Sequence, residues 1–583
     1  MKRHFWLGHR FVVILAAAIF VAGFSCSKKE KFEPKEVLRF GIAVAPKTLD
    51  PAKAEDVTSQ TELKHGYEGL LQYSYHKRPY ALEPALLESM PEPGPEGVQV
   101  LRLKKGILFH DDPCFKSTGG KGREVTAEDW IFSFLRVAHA KTQSYAWAWL
   151  SGSLVGLDAW RVRTADQDLL RNWIQEDFQK GLGIRALDRY TIEVKPLGRS
   201  RKFQYLLASP ALSVVPFEAV EHYGNEFGNH VVGTGAFRLD PISKDPKWVW
   251  TRNPTFRQEF DSSFSTTQPL PYADQILVER ISDPQQSWKR MLAQEVEWMD
   301  LAPVIYEKVI TAGKHLSKEV SEQGLRLEKI QIPNLSYVAF NLSDKVLGKN
   351  RLLRQALSLS LQAEPWIDLF YGGQAQAAFG PLVPGLLGFD FQLSNPLRKF
   401  NLVKAREHLA KAGFPGGEGL APLVYVTSDD EGSRQLTEYV SKSFQQIGVK
   451  TEIRPLALRE FEAAKAARSA QIWNSTWRAD FPDPEAILFR FYGSANDLSA
   501  NESLYQNPTF DRTFDKWVAE KNPKTAQAHL KALVDLLTED APWIYGIHRV
   551  SYRVVKKDLA NYQHHDFDFG ISKYLRSSGK RPK

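Results

Sequence analysis

Cysteine is almost missing: the 583 residues hold only Cys26 and Cys114. That excludes the disulfide framework of small secreted domains, so buried apolar surface has to hold the fold. A chain this long can supply it, and two or three lobes are expected. Charge of one sign is equally scarce: the net charge is +8, with 76 Lys and Arg scattered among 68 Asp and Glu. No basic block could track a phosphate backbone, which argues against nucleic acid. Catalytic signatures are missing too, since there is no Gly-x-Ser-x-Gly elbow, His-Glu-x-x-His, Cys-x-x-Cys or Walker loop. Gly233-Thr234-Gly235 lacks a third glycine and precedes a strand-like stretch, so it reads as a turn. His564-His565-Asp566 with Asp568 is the strongest metal candidate, but adjacent histidines point to opposite faces of a strand. A solvated loop near the C-terminus is the simpler reading. His110-Asp111-Asp112 reads as a turn whose aspartates bond nearby amides. No metal or cofactor is expected.

One long apolar run is present. Lys2, Arg3 and Arg10 precede an uncharged stretch over 11–24, followed by Cys26 and the polar Ser27-Lys28-Lys29-Glu30. The stretch is short of the ~20 apolar residues of a membrane span and has the shape of a signal peptide, residues 1–25. A cysteine directly after the cleavage point resembles a bacterial lipobox, although Gly23-Phe24-Ser25-Cys26 lacks the leucine usual three residues earlier. Lipid on Cys26 would leave Cys114 as a lone thiol, and residues 26–36 would form a lipid-anchored tether. The remainder has a globular balance, 43% hydrophobic and 25% charged over the whole chain.

Strand patterns fall at 37–44, 98–103, 191–194, 248–251, 275–281, 325–332, 336–341, 423–427, 450–453 and 543–547. Helical patterns fall at 127–138, 351–361, 402–412 and 434–447. The first of these follows Thr126, a fitting N-cap, with Asp129 three residues on. Strands interleaved with helices define an α/β class with parallel or mixed sheets. Gly106 and Gly233 are expected to supply positive φ, and Leu49-Asp50-Pro51 and Arg252-Asn253-Pro254 to form turns.

A series of segments then falls in one order. It runs through Pro46-Lys47-Thr48-Leu49-Asp50-Pro51, Tyr67-Glu68-Gly69-Leu70-Leu71 and Glu83-Pro84-Ala85-Leu86-Leu87-Glu88-Ser89. Leu101–Asp111, Val125–Phe134, Gly233–Phe237, Ala339-Phe340-Asn341, Arg354-Gln355-Ala356-Leu357 and Ala412-Gly413-Phe414 follow. Trp477-Arg478-Ala479-Asp480-Phe481-Pro482-Asp483-Pro484 and Ala541-Pro542-Trp543-Ile544-Tyr545 complete it. In this order the chain resembles the extracytoplasmic solute-binding proteins of oligopeptide- and dipeptide-type ABC importers, family 5 of the bacterial solute-binding proteins. It departs from them at His110-Asp111-Asp112-Pro113-Cys114-Phe115, where Phe-His-Asp-Gly is common, and in a Gly-rich insertion through Gly122.

The resemblance implies a bilobed type II periplasmic-binding-protein fold with an extra domain in the N-terminal half. Lobe I would comprise 37–79, 186–285 and 536–583, the extra domain 80–185, and lobe II 286–535. It implies a monomer that closes over a peptide and presents it to a permease and ATPase, with no catalysis. Asp480 matches the aspartate that pairs with the peptide's ammonium in relatives. Trp477, Arg478 and Ala479 would offer backbone to an extended peptide. Glu55, Asp56 and Val57 lie where relatives contact ligand from lobe I, and Tyr145 and Trp147 are further candidates from the extra domain. Asp483 reads as a turn or cap residue. Relatives also take nickel chelates, opines or oligosaccharides; a peptide-sensing receptor and a secreted hydrolase are the readings outside transport.

Overall fold

The computed structural model describes residues 35–197, 201–241, 243–261, 268–390, 392–493 and 501–577. The signal peptide, Cys26 and most of the tether lie outside them. Among the described residues, no helix is long and apolar enough to cross a membrane. Three larger sheets organise Glu36–Lys583, one compact unit.

In the first, Val37–Ile42 runs parallel to Gln275–Arg280, with Lys247–Arg252 and Phe237–Leu239 added antiparallel. Alternation sends Leu38, Phe40, Trp248, Trp250, Ile276 and Val278 into one core, so register is fixed by which face is apolar. The second sheet joins Gln99–Arg102, Thr191–Val194 and Ile184–Asp188, all antiparallel. The helix Ala127–Ala138 is buried at almost every position and opens with the reciprocal capping box read from Thr126 and Asp129.

The third sheet has eight strands, with Trp543–Lys556 as its spine. The sequence pattern ends this strand at 547, because His548, Arg549, Ser551 and Arg553 break the apolar run. The strand continues because it serves two sets of neighbours. Its first half pairs with Asn334–Phe340 and its second with Leu325–Gln331 and Trp298–Asp300. The first and third sheets are mixed, as the interleaved pattern implied, whereas the second is wholly antiparallel.

Two glycine expectations separate here. Gly106 has φ 76°, as expected. Gly233 does not have positive φ; a Cβ there would lie 2.0 Å from the Gly66 carbonyl oxygen, so glycine is needed for close backbone approach. His110 also belongs to this packing, its amide donating to the Gly233 carbonyl at 2.8 Å. In the following turn Asp112 accepts from the Cys114 amide at 2.9 Å. Cys114 is a buried free thiol whose pKa burial pushes up.

Asp50, read as part of a turn, also carries a buried ion pair, and other buried pairs lie in the same unit. Asp50 accepts two hydrogen bonds from the Arg136 guanidinium, at 2.8 and 2.6 Å, as well as the Ala52 amide. Glu68 pairs in the same forked way with Arg257, which also holds Glu259, and Glu259 in turn meets Lys573. Removing one member of a buried pair strands the other charge, a cost of ~3–5 kcal/mol. Asp50→Ala should therefore lower stability by roughly that amount in urea unfolding, and adding Arg136→Met should recover much of it. A single variant within about 1 kcal/mol of the parent would show that water reaches and solvates the guanidinium.

Candidate functional site

The strand Ile472–Arg478 pairs antiparallel with Asn334–Phe340 over its whole length, Arg478 opposite Asn334. Its other edge is paired only at the start, where Ile472 and Trp473 face Tyr425 and Val426. From Asn474 to Arg478 that edge has no strand partner among the described residues. Side chains alternate along it: Trp477 and Ala479 are buried, while Thr476, Arg478 and Asp480 are exposed. The Ala479 amide donates to the Pro333 carbonyl at 2.8 Å, which carries the alternation past the end of the strand. Asp483 then fixes the Pro-rich turn, accepting from the Glu485 amide at 2.9 Å and lying 3.7 Å from Arg201.

Arg478, Ala479 and Asp480 line a cavity of about 230 Å³ together with Glu55, Val57 and Tyr145. Six of the eight candidate site residues are thus brought together by segments far apart in sequence. The other two are placed differently. Trp477 packs into the core at 8% exposure. Asp56 caps the helix Val57–Leu63, accepting from the Ser59 amide and hydroxyl at 2.9 and 2.7 Å. Trp147 is also off this wall, lying under the Arg161 guanidinium at 4.2 Å. Glu55 reaches an exposed pair with Lys47 at 3.3 Å, and the Tyr145 hydroxyl accepts from Gln60 at 3.1 Å.

Further wall residues escaped the sequence reading. Tyr205 stacks on Phe481 with ring centres 5.0 Å apart, and Lys202, Trp149, Phe567 and Phe569 are also part of the lining. Asp566 also lies there, which corrects the solvated-loop reading of His564-His565-Asp566: His565 and Asp566 are buried. Aromatic packing draws the tract inward, with Tyr80 against His565 at 4.5 Å and its hydroxyl donating to Asp566 at 2.6 Å. His564 approaches the other Asp566 oxygen at 3.0 Å. Burial opposes ionisation of Asp566, but these contacts and the nearby Arg478 outweigh it and lower its pKa.

A second cavity, of about 430 Å³, adjoins the first, sharing Val57, Arg478, Asp566 and Phe569 with it. Glu62 lines it, bonded by the Trp250 indole at 3.0 Å, and burial raises its pKa to about 7. Among the described residues no group of His, Cys, Asp and Glu is arranged to hold a metal ion.

Asp480 and Arg478 are the unusual members. Neither side chain has a hydrogen bond or an ion pair within 4 Å among the described residues, not even with each other. Solvent in the cavity reaches more than a third of Asp480. Surrounding protein nonetheless makes desolvation the largest influence, raising its pKa to about 6, while Arg490, Lys202 and Arg478 pull it down. The cavity offers one carboxylate and one guanidinium to a guest, at the end of the open strand edge.

The fold is that of the type II periplasmic binding proteins. MppA, described as a periplasmic murein tripeptide binding protein in its unliganded open form, superposes with TM-score 0.73 at 19% identity, covering 93% of this chain and 97% of its own. The periplasmic binding protein DppA from Helicobacter pylori, in complex with the peptide STSA, gives 0.65 at 21% identity, with 93% and 98% covered. The glutathione-binding protein GsiB of Escherichia coli O6:K15:H31 (strain 536 / UPEC) is 22% identical over 505 residues, 85% of this chain and 86% of that protein. The model of the bacterial extracellular solute-binding proteins, family 5 Middle, matches residues 81–499, more than half the chain. The protein belongs to that family, whose members bind peptides or related ligands for ABC importers.

The Asp480 shift has a defined sign. The folded protein holds this proton with a pKa of about 6, against 3.8 for a free side chain. The group's contribution to stability is therefore full below about 4 and lost as pH rises through 6. Relative to the parent, ligand-free Asp480→Asn should gain thermal stability between pH 4 and 7 and level off above. A difference that stays flat across that range in thermal unfolding would contradict the burial argument.

Proposed function

We propose that the protein captures short peptides by their free amino end and delivers them to the permease and ATPase of an ABC importer. It works as an exported monomer anchored through lipid on Cys26, and it performs no catalysis. The observation that carries this reading is the Asp480 carboxylate, walled by protein and with no ion pair within 4 Å among the described residues. An α-ammonium supplies the missing partner, and the pairing strengthens as closure removes water. The unpaired edge from Asn474 to Arg478 suits an extended backbone, giving contact that does not depend on side-chain identity. The names of the relatives agree, since murein tripeptide, glutathione and the peptide STSA each offer a free amine.

Mass spectrometry of ligand co-purified with the exported protein tests the substrate class. A peptide mixture is expected; a defined sugar or a metal chelate would overturn the reading, and cleaved peptide would overturn the absence of catalysis. The contact itself is tested by calorimetry. Asp480→Ala should weaken free-amine peptides roughly ten- to a hundred-fold, the worth of a charge-assisted hydrogen bond, and change N-acetylated peptides little. Equal losses for both would remove Asp480 from the ammonium site.

A further inference from the structure

The guanidinium of Arg478 is the part of the site that an ordinary peptide amino end leaves unanswered. Arg478 stands two residues before Asp480 on the same face, about 6–7 Å along an extended chain. It lies where the two cavities meet, lining both. Its side chain has no partner among the described residues. The competing acid Asp566, which feels the Arg478 charge, is already held by Tyr80 and His564 at 2.6 and 3.0 Å.

A peptide with an uncharged first residue presents an ammonium followed by a neutral amide. It satisfies Asp480 and leaves Arg478 with at most a carbonyl, while closure strips water from both charges. A ligand whose first residue carries a carboxylate beside its ammonium satisfies both groups. The adjoining cavity of about 430 Å³ gives the remainder of such a head room beyond Arg478.

We propose that Arg478 receives a carboxylate carried on the ligand's first residue, so that the site selects peptides with a zwitterionic head. That carboxylate is either the α-carboxylate of a γ-linked glutamyl head or the side chain of an N-terminal aspartate. The inference rests on the amine reading at Asp480 and adds a second contact to it.

The test is calorimetry with three amidated peptides: γ-glutamyl-alanyl-alanine amide, aspartyl-alanyl-alanine amide and trialanine amide. Amidation removes the C-terminal carboxylate, so any preference comes from the head. One or both acidic heads should bind roughly ten- to a hundred-fold more tightly than trialanine amide, and the arm that gains identifies the source of the carboxylate. Arg478→Gln should bring the ratio of affinities close to one, Arg478→Lys should keep part of it, and Arg478→Glu should reverse it toward a lysine-headed peptide. These are exposed positions, and circular dichroism checks that each variant is folded. Equal binding of all three peptides by the parent, as expected if Arg478 swings onto Asp566 when the cleft closes, overturns the proposal. So does a ratio that survives Arg478→Gln. Asp480→Asn should weaken all three peptides by a common factor. If it weakens none while the Arg478 ratio persists, the amine reading fails and the carboxylate contact stands.

Discussion

A carboxylate facing a walled cavity with no cation within 4 Å among the described residues is an electrostatic demand that the protein meets only in part, through the more distant Arg490, Lys202 and Arg478. Asp480 is in that position because of strand alternation. Trp477 and Ala479 must face the core, so Arg478 and Asp480 have to face the cavity. The Pro-rich turn that follows, fixed by Asp483, ends the alternation there and brings Phe481 onto Tyr205 as part of the wall. Desolvation then does the rest: the same burial that raises the Asp480 pKa also raises the strength of any pairing a guest can offer. Site geometry and site electrostatics have one cause.

The contrast with ions elsewhere sharpens the point. Asp50 with Arg136, Glu68 with Arg257, and Glu259 with Lys573 are mutually satisfied at 2.6 to 2.9 Å. Arg354 is buried without a carboxylate partner among the described residues, yet donates to the carbonyls of Leu347, Gly348, Asp540 and Ala541 where the helix Pro523–Asp540 ends. Such groups hold segments in place and have no capacity left for a ligand. Asp480 and Arg478 have that capacity intact, which separates them from charged residues that merely sit in an ordered series of family segments.

Much of the fold was legible because it is written in local rules. The capping box at Thr126 and Asp129 marked its helix to the residue, and the apolar alternation at 191–194 marked its strand in the same way. The strand Trp543–Lys556 was legible only in its first third, since its polar second half is stabilised by neighbours remote in sequence. The site divides along the same line. Arg478 to Asp480 could be found from one motif, and Glu55, Val57 and Tyr145 only through the family resemblance. Tyr205, Phe567 and Asp566 could not, because an aromatic or an acid gives no local signal of which cavity it faces. The tract His564-His565-Asp566 misled for the opposite reason: its polarity suggests solvent, while packing on Tyr80 buries it. Asp56 had the right address, but a helix start claims its oxygens.

How the site divides its recognition follows from these parts. The open edge of residues 474–478 offers backbone hydrogen-bonding groups, which every peptide can match equally, so that contact adds affinity without discrimination. Discrimination has to come from groups that only some guests can satisfy. Under the proposed reading, Asp480 and Arg478 are such groups, and both would act on the guest's head rather than along its length. A buried charge left unpaired penalises the wrong guest more than a formed pair rewards the right one, so two neighbouring charges of opposite sign reject as well as attract. The tail of the guest then meets aromatic walls such as Tyr205, Phe481 and Phe569, which accept varied shapes. Selectivity for the head with tolerance for the tail is the behaviour this distribution of charge and backbone would impose under the proposed reading.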